Sequence, residues 1–149
     1  MEDTALVRAR IGKEHYVTQL DAGRHSYVGD EPEDKGGLDQ GPTPSQFVLS
    51  GLAACTVITL RMYADRKGWP MERAEIEMWL QSERTDDGWL SLIHARLNLA
   101  GPLNGEQRER LLEIAKKCPV HRMLTNEIRI QTSLAGTDAG SDLAGGSTA

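Results

Sequence analysis

TPSQFVLSGLAACTVITL, residues 43–60, is the stretch that decides the fold of this chain. Thr43 can cap a helix, Pro44 suits the first helical position, and Gln46 stands at the spacing of a capping box. Gly68 supplies a stop, so we predict a long helix from Pro44 to just before that glycine. Apolar residues lie almost all the way round its first half, which is typical of a helix buried on most sides.

Strands are predicted on both sides of this helix, because apolar and polar residues alternate there. Three strands form a small meander with Gly12-Lys13 as its first turn, and a loop of turn-forming residues, 29–43, leads into the helix. A hairpin, two helices and a last strand follow. The predicted ranges are 5–11, 15–20 and 24–28 for the meander, 73–83 and 89–99 for the hairpin, 104–117 and 118–124 for the helices, and 127–134 for the last strand. This order predicts the α+β class.

The composition fits one soluble domain, since 39% of the 149 residues are hydrophobic and 26% are charged. We predict a single domain over residues 1–135. Residues 136–149 are rich in Gly, Ser and Ala and cannot bury enough apolar area to order themselves, so we predict a disordered tail.

Charge and hydropathy narrow the expected partners and location. The net charge is −5 and no basic run occurs, which argues against nucleic acid and an anionic membrane surface as partners. The first residues are acidic and lack the pattern of a secretory signal. The apolar stretch 47–60 is interrupted by polar residues and looks too short to span a bilayer. We therefore expect a cytoplasmic protein.

The chain has two cysteines, Cys55 and Cys118. Two cysteines cannot form a disulfide framework, so they are either inert core residues or a redox pair. Cys55 lies among small residues of the long helix, including Gly51, which costs a helix roughly 1 kcal/mol relative to Ala. Either a close helix–helix contact or space for a substrate or second sulfur explains this small-residue patch.

Cys118 precedes Pro119, and this order predicts a cysteine at the N-cap of a helix. The free N–H groups and partial positive charge of a helix start favour a thiolate there. His121 and Arg122 can add positive charge, although His121 is equally explained as a solvent-facing residue. A metal site is not expected: Cys118 and His121 have a ligand-like spacing, but the other histidines provide no second pair.

A thiolate attacks a peroxide oxygen to give a sulfenic acid, and a second thiol condenses with that acid to a disulfide. Such a cycle needs two cysteines that come together from separate elements. Cys55 and Cys118 lie in separate predicted helices and meet this requirement.

Two segments resemble motifs of the OsmC/Ohr family. Residues 41–56 are similar to its central-helix motif, and residues 117–121 are similar to its second cysteine motif. Asp30-Glu31-Pro32, residues 36–39 and residues 62–69 resemble its short OsmC-like branch. The resemblance covers roughly residues 5 to 135. It implies an OsmC-like fold, in which antiparallel sheets wrap around long central helices in an intertwined homodimer with two sites at the subunit interface.

The resemblance also implies a function, namely a cysteine-based thiol peroxidase that reduces organic hydroperoxides in oxidative or osmotic stress defence. Cys55 would be the peroxidatic cysteine and Cys118 the resolving one. The implied reductant is a dithiol of the lipoyl type, and no cofactor is implied. Arg24 is the candidate partner of the Cys55 thiolate. The residues expected to bind the substrate are Gln46, Phe47, Leu52 and Met62.

The sequence departs from the family at two points. Members with peroxidase activity carry a glutamate ten residues before the first cysteine, and this position holds Ser45 here. They also use an arginine from the N-terminal sheet or the loop after it. Residues 29–43 contain none, which leaves Arg24, with Arg8 and Arg10 behind it. The alternatives are therefore a non-enzymatic dimer that binds an apolar ligand or senses redox state, and a structural dimer module with inert thiols.

Overall fold

A 24-residue helix, α1, runs through the centre of the computed structural model, which describes residues 5–136. Two antiparallel sheets and two shorter helices surround it, as expected for the α+β class. The strands are β1 (Val7–Ile11), β2 (Thr18–Ala22), β3 (His25–Gly29), β4 (Arg73–Thr85) and β5 (Gly88–Ala100), and the helices are α1 (Pro44–Lys67), α2 (Gly105–Ala115) and α3 (Pro119–Thr125).

Helix α1 begins and ends where its capping residues predict. The Thr43 hydroxyl accepts a hydrogen bond from the Gln46 backbone N–H at 3.3 Å, and the Gln46 side-chain oxygen accepts one from the Thr43 N–H at 2.9 Å. This reciprocal pair satisfies two N–H groups that a helix start leaves open. Gly68 closes the other end in a left-handed conformation with φ of 66°. The predicted bounds of the helix are confirmed.

The strands form two separate antiparallel sheets. One is the meander β1-β2-β3, in which Val7 pairs with Ala22, and the other is the hairpin β4-β5, in which Thr85 pairs with Gly88. The hairpin packs on α1 through β4. The chain thus places one sheet at the start of α1 and the other along its middle.

The core lies where α1 meets α2 and the base of the hairpin. Leu60 of α1 and Leu111 of α2 are fully buried, and Met71, Leu103 and Ile114 join them. Only one face of α1 is covered in this way. Its opposite side, which carries Ile58 and Met62, is exposed in the single chain.

Asp30 organises the loop between β3 and α1. Its buried carboxylate accepts four backbone hydrogen bonds at 2.7–3.2 Å, and the donors are the N–H groups of Tyr16, Glu31, Leu38 and Gln40. Burial acts to raise the pKa of Asp30, but these four N–H groups together lower it below the ordinary value. The loop contains a short 3₁₀ helix, Glu33–Lys35, and leads into α1 at Thr43.

Two predicted elements are wrong. The turn at Gly12-Lys13 is a longer connection and β2 starts at Thr18, because the Tyr16 N–H bonds Asp30 instead of a neighbouring strand. Residues 127–134 form no strand within the described part of the chain. Their alternating pattern presents apolar side chains such as Ile130 to the solvent, and a strand also needs a neighbour for its backbone groups.

The length of α1 also corrects the prediction that the apolar stretch 47–60 is too short to span a bilayer. Within residues 5–136, α1 is the one helix long and apolar enough to cross a membrane, with a mean hydropathy of 1.6. Length and composition alone carry this finding, and a core helix of a soluble protein has the same properties. The predicted disordered tail, residues 136–149, lies outside the described residues apart from Gly136, which is in a turn.

Candidate functional site

Two thiols meet where α1 and α3 touch. Cys55 is half-buried in the middle of α1, and Cys118 is fully buried at the start of α3. Both are free, and they are close enough for the Cys118 side chain to contribute to the raised pKa of Cys55. They are 63 positions apart in the sequence, so the packing of α3 on α1 is what brings the sulfur atoms together.

The position of Cys118 follows from the Pro119 motif. Cys118 is the N-cap of α3, as predicted, and its sulfur accepts a hydrogen bond from the His121 backbone N–H at 3.2 Å. The Thr56 hydroxyl lies 3.8 Å from the same sulfur. His121 thus contacts the Cys118 sulfur through its backbone N–H.

Cys55 has a different electrostatic environment. Burial raises the pKa of the Cys55 thiol, and the nearby Cys118 side chain raises it further. The Val120 backbone N–H and the Thr59 hydroxyl act in the opposite direction, but the pKa stays above its usual value. The nucleophilic thiolate of Cys55 is therefore less populated at a given pH than that of a thiol with the ordinary pKa.

A cleft of about 410 Å³ lies between the hairpin and the helices, and neither cysteine is part of its lining. The inner face of the hairpin forms one wall, and α1, α2 and α3 form the other. The Cys118 neighbours Thr56 and His121 are part of its lining, while most other lining side chains are apolar. These apolar side chains include Leu52, Ile76, Met78, Ile93 and Leu112. The cleft can hold a small apolar molecule, and the Thr56 side chain stands between that space and the Cys118 sulfur.

The other predicted site residues are spread along the chain. Leu52 lines this cleft, but the Gln46 side chain closes the capping box of α1 and Phe47 packs on Tyr27 beneath the meander. Met62 lies on the exposed side of α1. A single copy of the chain therefore does not bring the four predicted substrate-binding residues together.

Arg24 lies in the exposed turn between β2 and β3. Gly29, at the other end of β3, is the residue against which Phe47 packs. A five-residue strand separates Arg24 from this contact by about 16 Å. The role of Arg24 as a thiolate partner stays a prediction.

Sequence reasoning overlooked the two threonines of the motif CTVIT, residues 55–59. Thr56 and Thr59 place a hydroxyl beside Cys118 and Cys55 respectively. The available signal was helical spacing: Thr59 is four residues after Cys55 and shares its face. The contact of Thr56 with α3 had no such signal, because it depends on how the two helices pack.

The comparisons with known proteins agree with this architecture. The family described as OsmC-like protein matches residues 36–133. No curated protein sequence matches the chain. An OsmC-like protein from Mycoplasma pneumoniae has a similar structure, with a TM-score of 0.69 and 21% identity over 83% of this chain and 89% of that chain.

Two further structures carry names that describe a function. The organic hydroperoxide resistance protein OhrB of Bacillus subtilis matches with a TM-score of 0.61 and 22% identity, over 84% of this chain and 93% of that chain. A putative organic hydroperoxide resistance protein from Vibrio cholerae, with captopril bound in one of its active sites, has a TM-score of 0.62 and 17% identity, over 86% and 88%. At these identities the likeness establishes the fold, and it confirms the resemblance read from the two cysteine motifs.

Proposed function

This chain belongs to the OsmC-like protein family, and from that premise we propose that it is a thiol peroxidase that reduces small organic hydroperoxides. Cys55 attacks the peroxide and Cys118 resolves the product. The single observation that carries the proposal is the meeting of these two free thiols at the contact of α1 and α3.

The proposed cycle balances without a cofactor. The Cys55 thiolate attacks the terminal peroxide oxygen, the O–O bond breaks, and Cys55 becomes a sulfenic acid. The departing alkoxide takes up the proton that the Cys55 thiol had released and leaves as the alcohol. Cys118 then attacks the Cys55 sulfur, and the hydroxide leaves with the Cys118 proton as water. An external dithiol of the lipoyl type reduces the resulting disulfide. The apolar cleft that reaches the Cys118 neighbours Thr56 and His121 supports a hydrophobic peroxide as the substrate.

We further propose that the working unit is a homodimer, as the family resemblance implies. The exposed apolar side of α1 supports this, because Ile58 and Met62 have no cover in the single chain. Helical geometry supports it as well. Ser45 precedes Cys55 by ten residues, which is about 15 Å along a helix. A glutamate at that position could therefore reach a Cys55 sulfur only from a second copy.

The test is the consumption of cumene hydroperoxide by the reduced full chain with a dithiol as the reductant. We expect turnover by the wild type and none by Cys55→Ser. With the dithiol left out, Cys118→Ser should consume one equivalent and leave a sulfenic acid that dimedone traps. Because the pKa of Cys55 is raised, the rate should increase with pH through and beyond the usual range of a thiol. A wild-type chain that leaves the hydroperoxide unconsumed at every pH would falsify the proposal.

Ser45→Glu, compared with Ser45→Gln, tests whether the family glutamate still fits this site. We expect the carboxylate variant to be faster, because a charged group that orients the reacting atoms supplies what Ser45 lacks. The glutamine variant controls for side-chain size. Equal rates for the two variants would show that charge at this position does not assist the reaction.

The second candidate is a non-enzymatic dimer that binds an apolar ligand or senses redox state. Two observations favour it, namely Ser45 in place of the glutamate and the raised pKa of Cys55. Mass spectrometry after mild oxidation separates the candidates. A Cys55–Cys118 disulfide without catalytic turnover supports a redox sensor, and thiols that stay reduced support ligand binding.

A further inference from the structure

Thr56 places its hydroxyl against the Cys118 sulfur in the least accessible part of the site. Only 3% of Thr56 is exposed, and Cys118 is fully buried. The Oγ1 to Sγ distance is 3.8 Å. The same hydroxyl donates a hydrogen bond of 2.8 Å to the Leu52 carbonyl. Because a hydroxyl has one hydrogen, Oγ1 is left as an acceptor, and the Cys118 S–H is the donor in the contact between them.

The Leu52 carbonyl does not depend on this hydroxyl. In an α-helix, the carbonyl of residue 52 also accepts the backbone N–H of residue 56. A carbonyl oxygen has two lone pairs, so it keeps one partner when the hydroxyl turns away. The Thr56 hydroxyl therefore has two available positions, one directed at Leu52 and one directed at the Cys118 sulfur.

We propose that Thr56 is a positioning residue for the attack of Cys118 on Cys55. While Cys118 carries its proton, Oγ1 accepts the S–H. As the proton leaves, the hydroxyl turns and donates to the sulfur, to which the His121 N–H already donates. The site is closed to water at Cys118, so no solvent hydroxyl replaces this donor.

This inference rests on the proposed function, since it takes Cys118 as the resolving thiol. It can nevertheless be tested without any peroxide. Aromatic disulfides such as 2,2′-dithiodipyridine react with the half-buried Cys55 to give a mixed disulfide and one thiopyridone. Cys118 then attacks the Cys55 sulfur, the S–S bond between Cys55 and the thiopyridyl group breaks, and a second thiopyridone leaves with the electron pair. The Cys118 proton passes to this leaving group or the buffer.

The measurement is the rate of the second thiopyridone release, followed by absorbance with the reduced full chain. Cys118→Ser defines the first release, because it cannot perform the second. We expect Thr56→Val to slow the second release about tenfold or more, since it loses a hydrogen bond to an ionised sulfur. Thr56→Ser keeps the hydroxyl and should restore the rate. Thr56→Ala serves as a second hydroxyl-free variant if Thr56→Val folds poorly.

Thr85→Val is the matched control. The Thr85 hydroxyl also donates to a backbone carbonyl, that of Gly88 at 3.0 Å, but it lies at the exposed tip of the hairpin. It should leave the second release unchanged. Two results would overturn the inference: a second release as fast in both hydroxyl-free variants as in the wild type, or a serine variant as slow as the alanine variant. A chain inactive toward hydroperoxides would refute the proposed function while this exchange still measures the role of Thr56.

Discussion

Ile58→Glu should convert the proposed homodimer into a monomer. Ile58 is 52% exposed in the single chain, and its neighbours on the same side of α1, Val48 and Met62, are 53% and 66% exposed. Fully burying an aliphatic side chain contributes about 1.5–3 kcal/mol. About half of that, roughly 0.8–1.5 kcal/mol for each residue, thus remains to be gained by covering this side. Three residues from each of two copies contribute about 5–9 kcal/mol in total.

The substitution removes the share of Ile58 from both copies, about 1.6–3 kcal/mol, and also brings two carboxylates into an apolar contact. The dissociation constant should rise by about a hundredfold. Sedimentation velocity over a series of protein concentrations measures this shift. Lys67→Glu is the control, because it adds negative charge at the solvent-exposed C-terminal end of the same helix. If Ile58→Glu sediments as a dimer over the same concentrations as the wild type, or if the wild type is a monomer, the reasoning about this side of α1 is refuted.

Two further predictions concern stability, measured by urea unfolding. Leu111→Ala should cost about 2–5 kcal/mol because Leu111 is fully buried, whereas Leu112→Ala, at a half-exposed neighbour, should cost less than half as much. Equal losses would contradict the described core. Asp30→Asn should destabilise the chain more than Asp39→Asn, because an amide cannot accept both N–H groups that face the second oxygen of Asp30. The pKa of Asp30 is lowered, so its stabilisation is complete above the ordinary value and is lost as the pH falls through the lower one. The difference in the free energy of unfolding between the two variants should therefore become smaller in acid and stay constant from pH 6 upward. A difference that does not change in acid would argue against stabilisation by the ionised Asp30 carboxylate.

Local signals predicted α1 well because they act within a few residues. The Thr43 cap and the Gly68 stop each depend on neighbours in the sequence, and the structure confirms both. The N-cap position of Cys118 is predictable for the same reason, since Pro119 limits the backbone next to it. The prediction of the first turn of the meander failed because the Asp30 carboxylate, fourteen residues away, competes for the Tyr16 N–H.

The sequence by itself determined the class of the fold, the long apolar helix and two cysteines in separate elements, because propensity, capping and composition are properties of short segments. The tertiary structure alone decided that these sulfurs meet, that burial raises the pKa of Cys55, and that Thr56 rather than a charged residue touches Cys118. Those facts depend on the packing of α3 against α1. Contacts between distant segments are set by the summed burial of many side chains, and no short motif encodes that sum.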